Sequence, residues 1–189
     1  MPMHEGFAFR LLGLCLPALA LALPASAQML RDEASGLSIT PPPGYTATPS
    51  PERSGTNRPV FDVRTPGDTD TGCRIAVSEA AANAGLTQAE INTHAASQPY
   101  KETVAGLFST VYEIRALETV THAGITGVAA IGDLRPREGM PQRAQEVRSL
   151  LVLLETPRQR ITLGCVGERR DFRERLPQFE AVLRGLAIR

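Results

Sequence analysis

Two cysteines, Cys73 and Cys165, do more than any other feature to limit what this 189-residue chain can fold into. The third, Cys15, lies in an apolar run over residues 11–23, which Arg10 introduces and Ala25-Ser26-Ala27 closes. A basic residue, a short hydrophobic run and small residues at the −3 and −1 positions are the pattern of a secretory signal peptide. The run is about 13 residues long and a bilayer span takes about 20, so no stable membrane anchor is expected after cleavage. Cleavage is expected between Ala27 and Gln28, which removes Cys15 and delivers the remainder to the periplasm or the medium. Lipidation of Cys15 is disfavoured: Leu14 precedes it where a small residue is needed, and the apolar run continues past it.

In an oxidising compartment the two remaining cysteines are most simply a disulfide, the alternative being a pair of reduced, buried thiols. Each alternates with apolar residues, Cys73 with Ile75 and Val77, and Cys165 with Ile161 and Leu163. Both therefore belong to strands with one buried face. A bridge between them closes a loop of about 90 residues, for which chain entropy predicts roughly 4–5 kcal/mol. It also demands Cα atoms within about 7 Å. The strand over residues 73–78 must then lie beside, or face, the strand over residues 160–166.

The rest of the chain reads as one α+β domain over residues 36–189, after a short polar leader at residues 28–35. A brief strand at 36–40 runs into Pro41-Pro42-Pro43-Gly44-Tyr45, whose prolines lack ladder donors. Residues 46–58 are rich in Thr, Pro, Ser and Gly and read as a surface loop. Strands at 60–65 and 73–78 form a hairpin around 66–72. Thr87-Gln88-Ala89-Glu90 is a capping box that opens a helix, and Pro99 suits the start of a second. Tyr100, Val104, Leu107, Phe108 and Val111 form the apolar stripe of that second helix. Residues 111–121 and 125–134 are a long hairpin, with a bulge expected where the apolar phase changes between Ala116 and Leu117. After a polar loop at 135–145, residues 147–154 read as a central strand covered on both faces. A last strand at 160–166 leads to a helix that Asp171 is expected to cap. Its buried stripe is Phe172, Leu176, Phe179, Val182, Leu183 and Leu186, and Pro177 either kinks it or marks its first turn.

Chemistry is sparse. Acidic and basic residues balance at 20 each, which opposes nucleic-acid binding and electrostatic attachment to a membrane surface. Asp70-Thr71-Gly72 has the letters of the aspartic-protease motif, in which two carboxylates share a proton. That motif normally follows an apolar strand, whereas here Gly67-Asp68-Thr69 precedes it, as in an ordinary Asx-rich turn. Asp68, Asp70 and Glu79 fall at positions one, three and twelve of a calcium loop, but Cys73 occupies the sixth position, where glycine is needed. His94 and His122 have no glutamate or cysteine at metal-ligand spacing. Arg169, Arg170, Arg173 and Arg175 are interleaved with acidic residues and read as a solvated face, with anion binding as the alternative. No catalytic, metal or cofactor site is expected.

The opening strand with its proline-glycine-aromatic turn at 37–45 resembles the PsbP-like superfamily of α/β/α sandwich proteins, which includes exported bacterial DcrB-type members. The middle helices leading into a long hairpin, the final hairpin that feeds an amphipathic C-terminal helix, and the length and export pattern are similar as well. Tyr45 stands where that turn often carries tryptophan. The resemblance implies a mostly antiparallel sheet flanked by helices and no shared catalytic set. It also implies a binding or accessory role toward an envelope protein or a small ligand. The competing expectation is a hydrolase assembled from distant residues, with Asp70 the first suspect.

Overall fold

The computed structural model describes residues 28–51 and 58–188. The leader expected at 1–27, with the expected cleavage site and Cys15, lies outside the described residues. Seven strands form one antiparallel sheet in the order β3-β4-β5-β9-β8-β7-β6: β3 (Thr46–Pro49), β4 (Arg58–Arg64), β5 (Gly72–Glu79), β6 (Tyr112–His122), β7 (Ile125–Leu134), β8 (Val147–Glu155) and β9 (Gln159–Glu168). A smaller sheet orders β1 (Leu30–Asp32), β2 (Leu37–Ile39) and β10 (Leu186–Ala187).

Helices cover both faces of the large sheet. On one face, Ala95 of α1 (Gln88–Ala95) and Tyr100 and Val104 of α2 (Gln98–Ser109) pack on Val128 and Leu153. On the other, Phe172, Phe179, Val182 and Leu183 of α3 (Phe172–Arg184) join Leu37 and Ile39 of the small sheet over Ile75, Val152, Leu154 and Leu163. Sequence neighbours such as Val152 and Leu153 thus enter different cores, because strand side chains alternate. That is why β8 carries an unbroken apolar run: it is buried on both faces, as its sequence predicts.

Local signals act where expected in the middle of the chain. Thr87 and Glu90 form the capping box of α1, and Ser97 caps α2 with Pro99 in its first turn. Asn92 then pins α1 to the β6–β7 turn, donating to the Gly124 carbonyl (2.8 Å) and accepting from the Thr126 amide (2.9 Å).

Six expectations change. The leader at 28–35 contains β1, because Leu30 pairs with Ile39 and packs on the core. The loop at 46–58 begins with β3, paired to β4. Leu186, expected in the stripe of the last helix, lies instead in β10, which extends the small sheet beyond α3; Gly185 permits it, since a Cβ there would collide with the Thr40 carbonyl oxygen. Leu107, expected in the apolar stripe of α2, is 53% exposed. The β6 bulge falls between Ile114 and Ala116, leaving Arg115 without a register partner. Finally, the Asp171 side chain makes no capping bond, and α3 runs through Pro177.

Candidate functional site

Cys73 and Cys165 are direct partners in the β5–β9 ladder, joined by a disulfide with Cα atoms 3.9 Å apart. The bridge is buried in the α3-side core and pins the strand leaving the 66–72 turn to the strand that launches α3. It thereby anchors the turn that carries both suspect aspartates.

Those aspartates do not form a pair. Asp68 folds back into the turn, accepting from the Thr65 amide (2.8 Å) and the Thr71 hydroxyl (2.6 Å). The Arg175 guanidinium closes on it with two bonds, 2.8 and 3.1 Å, and the Asp68 side chain is only 4% exposed. Burial by itself would raise the Asp68 pKa, but the bonds from Arg175, Thr71 and Thr65 outweigh it and hold the carboxyl well below its usual range. Arg175 also donates to the Tyr45 hydroxyl (3.0 Å), and Tyr45 donates to Gln178 Oε1 (2.8 Å). Its guanidinium lies 5.1 Å from the Phe179 ring centre. One arginine of α3 thus ties together the Asp68 turn and the aromatic end of the proline turn.

Asp70 points elsewhere, to Arg143, with bonds of 2.7 and 3.0 Å, and it is half exposed. Arg143 also clamps Glu168 (2.8 and 2.5 Å). The bonds from Arg143 lower the pKa of both carboxyls. A protease dyad needs a carboxylate neighbour and a shared proton, which raises one pKa. A guanidinium neighbour has the opposite effect. Gly72, at φ +104°, begins β5 directly after the turn, so Asp70 and Thr71 belong to the turn and no apolar strand leads into them.

The calcium-loop letters fare similarly. Asp68 and Asp70 serve different arginines, and Glu79 lies at the far end of β5, opposite Gln159. Among the described residues no group of three or more His, Cys, Asp or Glu side chains is placed to hold a metal. His94 stacks edge-on against Tyr100 at 5.0 Å, and His122 Nε2 lies 2.5 Å from the Leu186 carbonyl, joining β6 to β10. Among the described residues neither histidine meets a carboxylate.

Sequence reasoning missed Asp133. Its side chain, 3% exposed at the end of β7, takes two bonds from Arg148 (2.8 and 3.0 Å) and one from Arg115 (3.0 Å). Burial would raise its pKa, and Arg148 and Arg115 reverse that. The only sequence signal was an aspartate near the end of a buried strand, and nothing in it names the partners.

Surface concavities are shallow. Two, of about 430 and 470 Å³, flank the proline turn, sharing Pro42, Pro43, Gly44 and Tyr45; the second also reaches Met29, 58% exposed. A third, of about 600 Å³, lies between the β1–β2 turn and the ends of β5 and β9, lined by Ser35, Arg58, Glu79 and Arg158 among others.

Among solved structures, the chain is similar to cyanobacterial PsbP (CyanoP) from Synechocystis sp. PCC 6803, with a TM-score of 0.56, 16% identity, 94% of this chain and 99% of that one covered. A protein from Bacteroides thetaiotaomicron VPI-5482 gives a TM-score of 0.43 at 12% identity, over 87% of this chain and 49% of that one. A protein of unknown function from Pseudomonas aeruginosa, PA94, gives 0.40 at 12% identity, over 71% and 99%. No protein-family model and no curated protein matches the sequence. The fold is PsbP-like, an α+β sandwich with a large antiparallel sheet flanked by helices.

Proposed function

We propose that this is an exported, non-enzymatic protein of the cell envelope, a DcrB-type member of the PsbP-like group, that works by binding an envelope protein or a small ligand. One observation carries the reading: the carboxylates that could do acid–base chemistry are clamped by arginines and kept ionised. Such groups stiffen a surface and are poorly suited to moving protons. The export pattern at residues 1–27 and the buried disulfide support an oxidising location. No helix among the described residues is long and apolar enough to cross a membrane.

The proline turn is the surface best built for binding. Its concavities lie on either side of a segment held rigid by Tyr45, Arg175 and Asp68, so little entropy is lost when a partner docks. A photo-crosslinking residue at Pro43 should trap one discrete partner in intact cells, and the same residue at Thr93 on α1 should not. The protein recovered from those cells should begin at Gln28. Asp70-dependent cleavage of peptides would overturn the reading in favour of a hydrolase.

A further inference from the structure

The arginines around the start of α3 do not act as one surface. Arg175 closes on Asp68, Arg170 lies on Asp171, and Arg169 turns toward Asp133. Asp133 therefore gathers three guanidiniums: Arg148 and Arg115 by hydrogen bonds, and Arg169 at 3.6 Å, beyond hydrogen-bond reach. Glu113 is the β6 register partner of Asp133, and Arg115 bonds both carboxylates across that like-charged pair. Within this group three cations face two carboxylates. Among the described residues the Arg169 guanidinium donates no hydrogen bond, and neither does Nη1 of Arg115 or of Arg148.

Three guanidiniums repel one another unless an anion holds them. The buried carboxylate of Asp133 does so, and its hydrogen bonds orient Arg115 and Arg148 before any ligand arrives. Arg169, but neither Arg115 nor Arg148, also lines a shallow cavity of about 650 Å³ together with Arg143 and Arg170. Its carboxylates, Glu146 and Glu168, share Arg143 with Asp70. We propose that Arg115, Arg148 and Arg169 form a binding site for a phosphate-type oxyanion. A guanidinium matches such a group with paired donors, and three of them suit a group with at least three acceptor oxygens better than a planar carboxylate. A soluble phosphate ester and a phospholipid headgroup both carry this chemistry.

The test is an NMR titration of the arginine Nε–H signals with inorganic phosphate at constant ionic strength, with chloride as the comparison. Saturable shifts at Arg115, Arg148 and Arg169 are expected, with a Kd on the order of 1 mM. Arg169→Gln should weaken binding roughly fivefold or more, as expected from losing a charge-assisted partner. Arg169 is 42% exposed, so the variant should fold, and the wild-type titration is decisive without it. Sedimentation with phosphatidic acid vesicles, against phosphatidylcholine vesicles, separates the sources. Arg169-dependent vesicle binding identifies a headgroup, and phosphate binding without it identifies a soluble ester. Shifts that chloride reproduces, or an Arg169→Gln variant that binds phosphate as tightly, would overturn the proposal. Neither result bears on crosslinking at Pro43, so the envelope reading stands or falls separately.

Discussion

Asp68 and Asp70 sit two residues apart in one turn, and each meets an arginine through a two-point clamp, yet the two clamps work in different surroundings. The Asp68 side chain is 4% exposed and its partner Arg175 is 19% exposed, whereas Asp70 and Arg143 are 49% and 37% exposed. In the buried clamp both ions have given up water, and every lone pair that faces inward must find a protein donor. Thr65, Thr71 and Arg175 supply those donors, and Tyr45 and Phe179 flank the guanidinium. In the exposed clamp water competes for each bond and salt screens the charges. Identical chemistry thus becomes a structural keystone at one position and a surface contact at the other. Burial makes the difference.

The comparison breaks most clearly if one partner of the buried clamp is removed. Asp68→Ala should cost about 3–5 kcal/mol in denaturant unfolding, because it strands the Arg175 charge in a desolvated site. Asp68→Ala combined with Arg175→Leu should recover much of that loss, since no unpaired ion then remains. Equal losses in the single and double variants would show that packing, and not the stranded charge, sets the cost.

The disulfide that anchors the same turn gives the next effect. Cys73→Ser and Cys165→Ser should each lower stability by about 2–5 kcal/mol, and the double variant should lose little more. Additive losses would mean that the thiols contribute separately to the core.

Acid unfolding sharpens the comparison with a third clamp of intermediate burial. Arg58 holds the Asp32 carboxyl at about 2, with Ser35 assisting. A depressed carboxyl contributes stability that is complete above the ordinary value of about 4 and lost as pH falls through the folded value. The Asp32 contribution should therefore disappear between about pH 4 and about pH 2. Asp32→Asn should flatten the stability profile in that window. Asp68, held lower still, should persist further into acid.

The smallest effect belongs to Asp70→Ala, which should leave the melting temperature nearly unchanged. Whatever shift it shows should vanish in high salt, as screening of an exposed pair requires. A large, salt-independent loss would mean that the turn depends on Arg143 as it does on Arg175.

Elements whose stability is local were legible. Capping at Thr87, the stripe of α3 from Phe172 to Leu183 and the double-faced run of β8 each carry a periodicity or a hydrogen-bond pattern within a few residues. Elements that exist only because a distant strand offers an edge were not. β1, β3 and β10 span three, four and two residues, too few for a periodic signal, and pair with residues brought near by the rest of the fold. The β6 bulge was legible as an event but misplaced by a residue or two, because an apolar phase change marks a bulge without naming its unpaired residue.

For the site, the sequence by itself determined the chemical stock: Cys73 and Cys165, carboxylates in a tight turn and arginines near the last helix. It also implied that Cys73 and Cys165 lie on neighbouring or facing strands, since an oxidised pair is a distance restraint written in the chain. Which carboxylate meets which arginine was decided by tertiary structure alone. Arg175 and Asp68 are 107 residues apart, and Arg143 and Asp70 are 73 apart. Coulomb attraction has no sequence signature at such separations. Only the antiparallel order β5-β9-β8, and α3 lying across it, places these groups within 3 Å and sets how much water each retains.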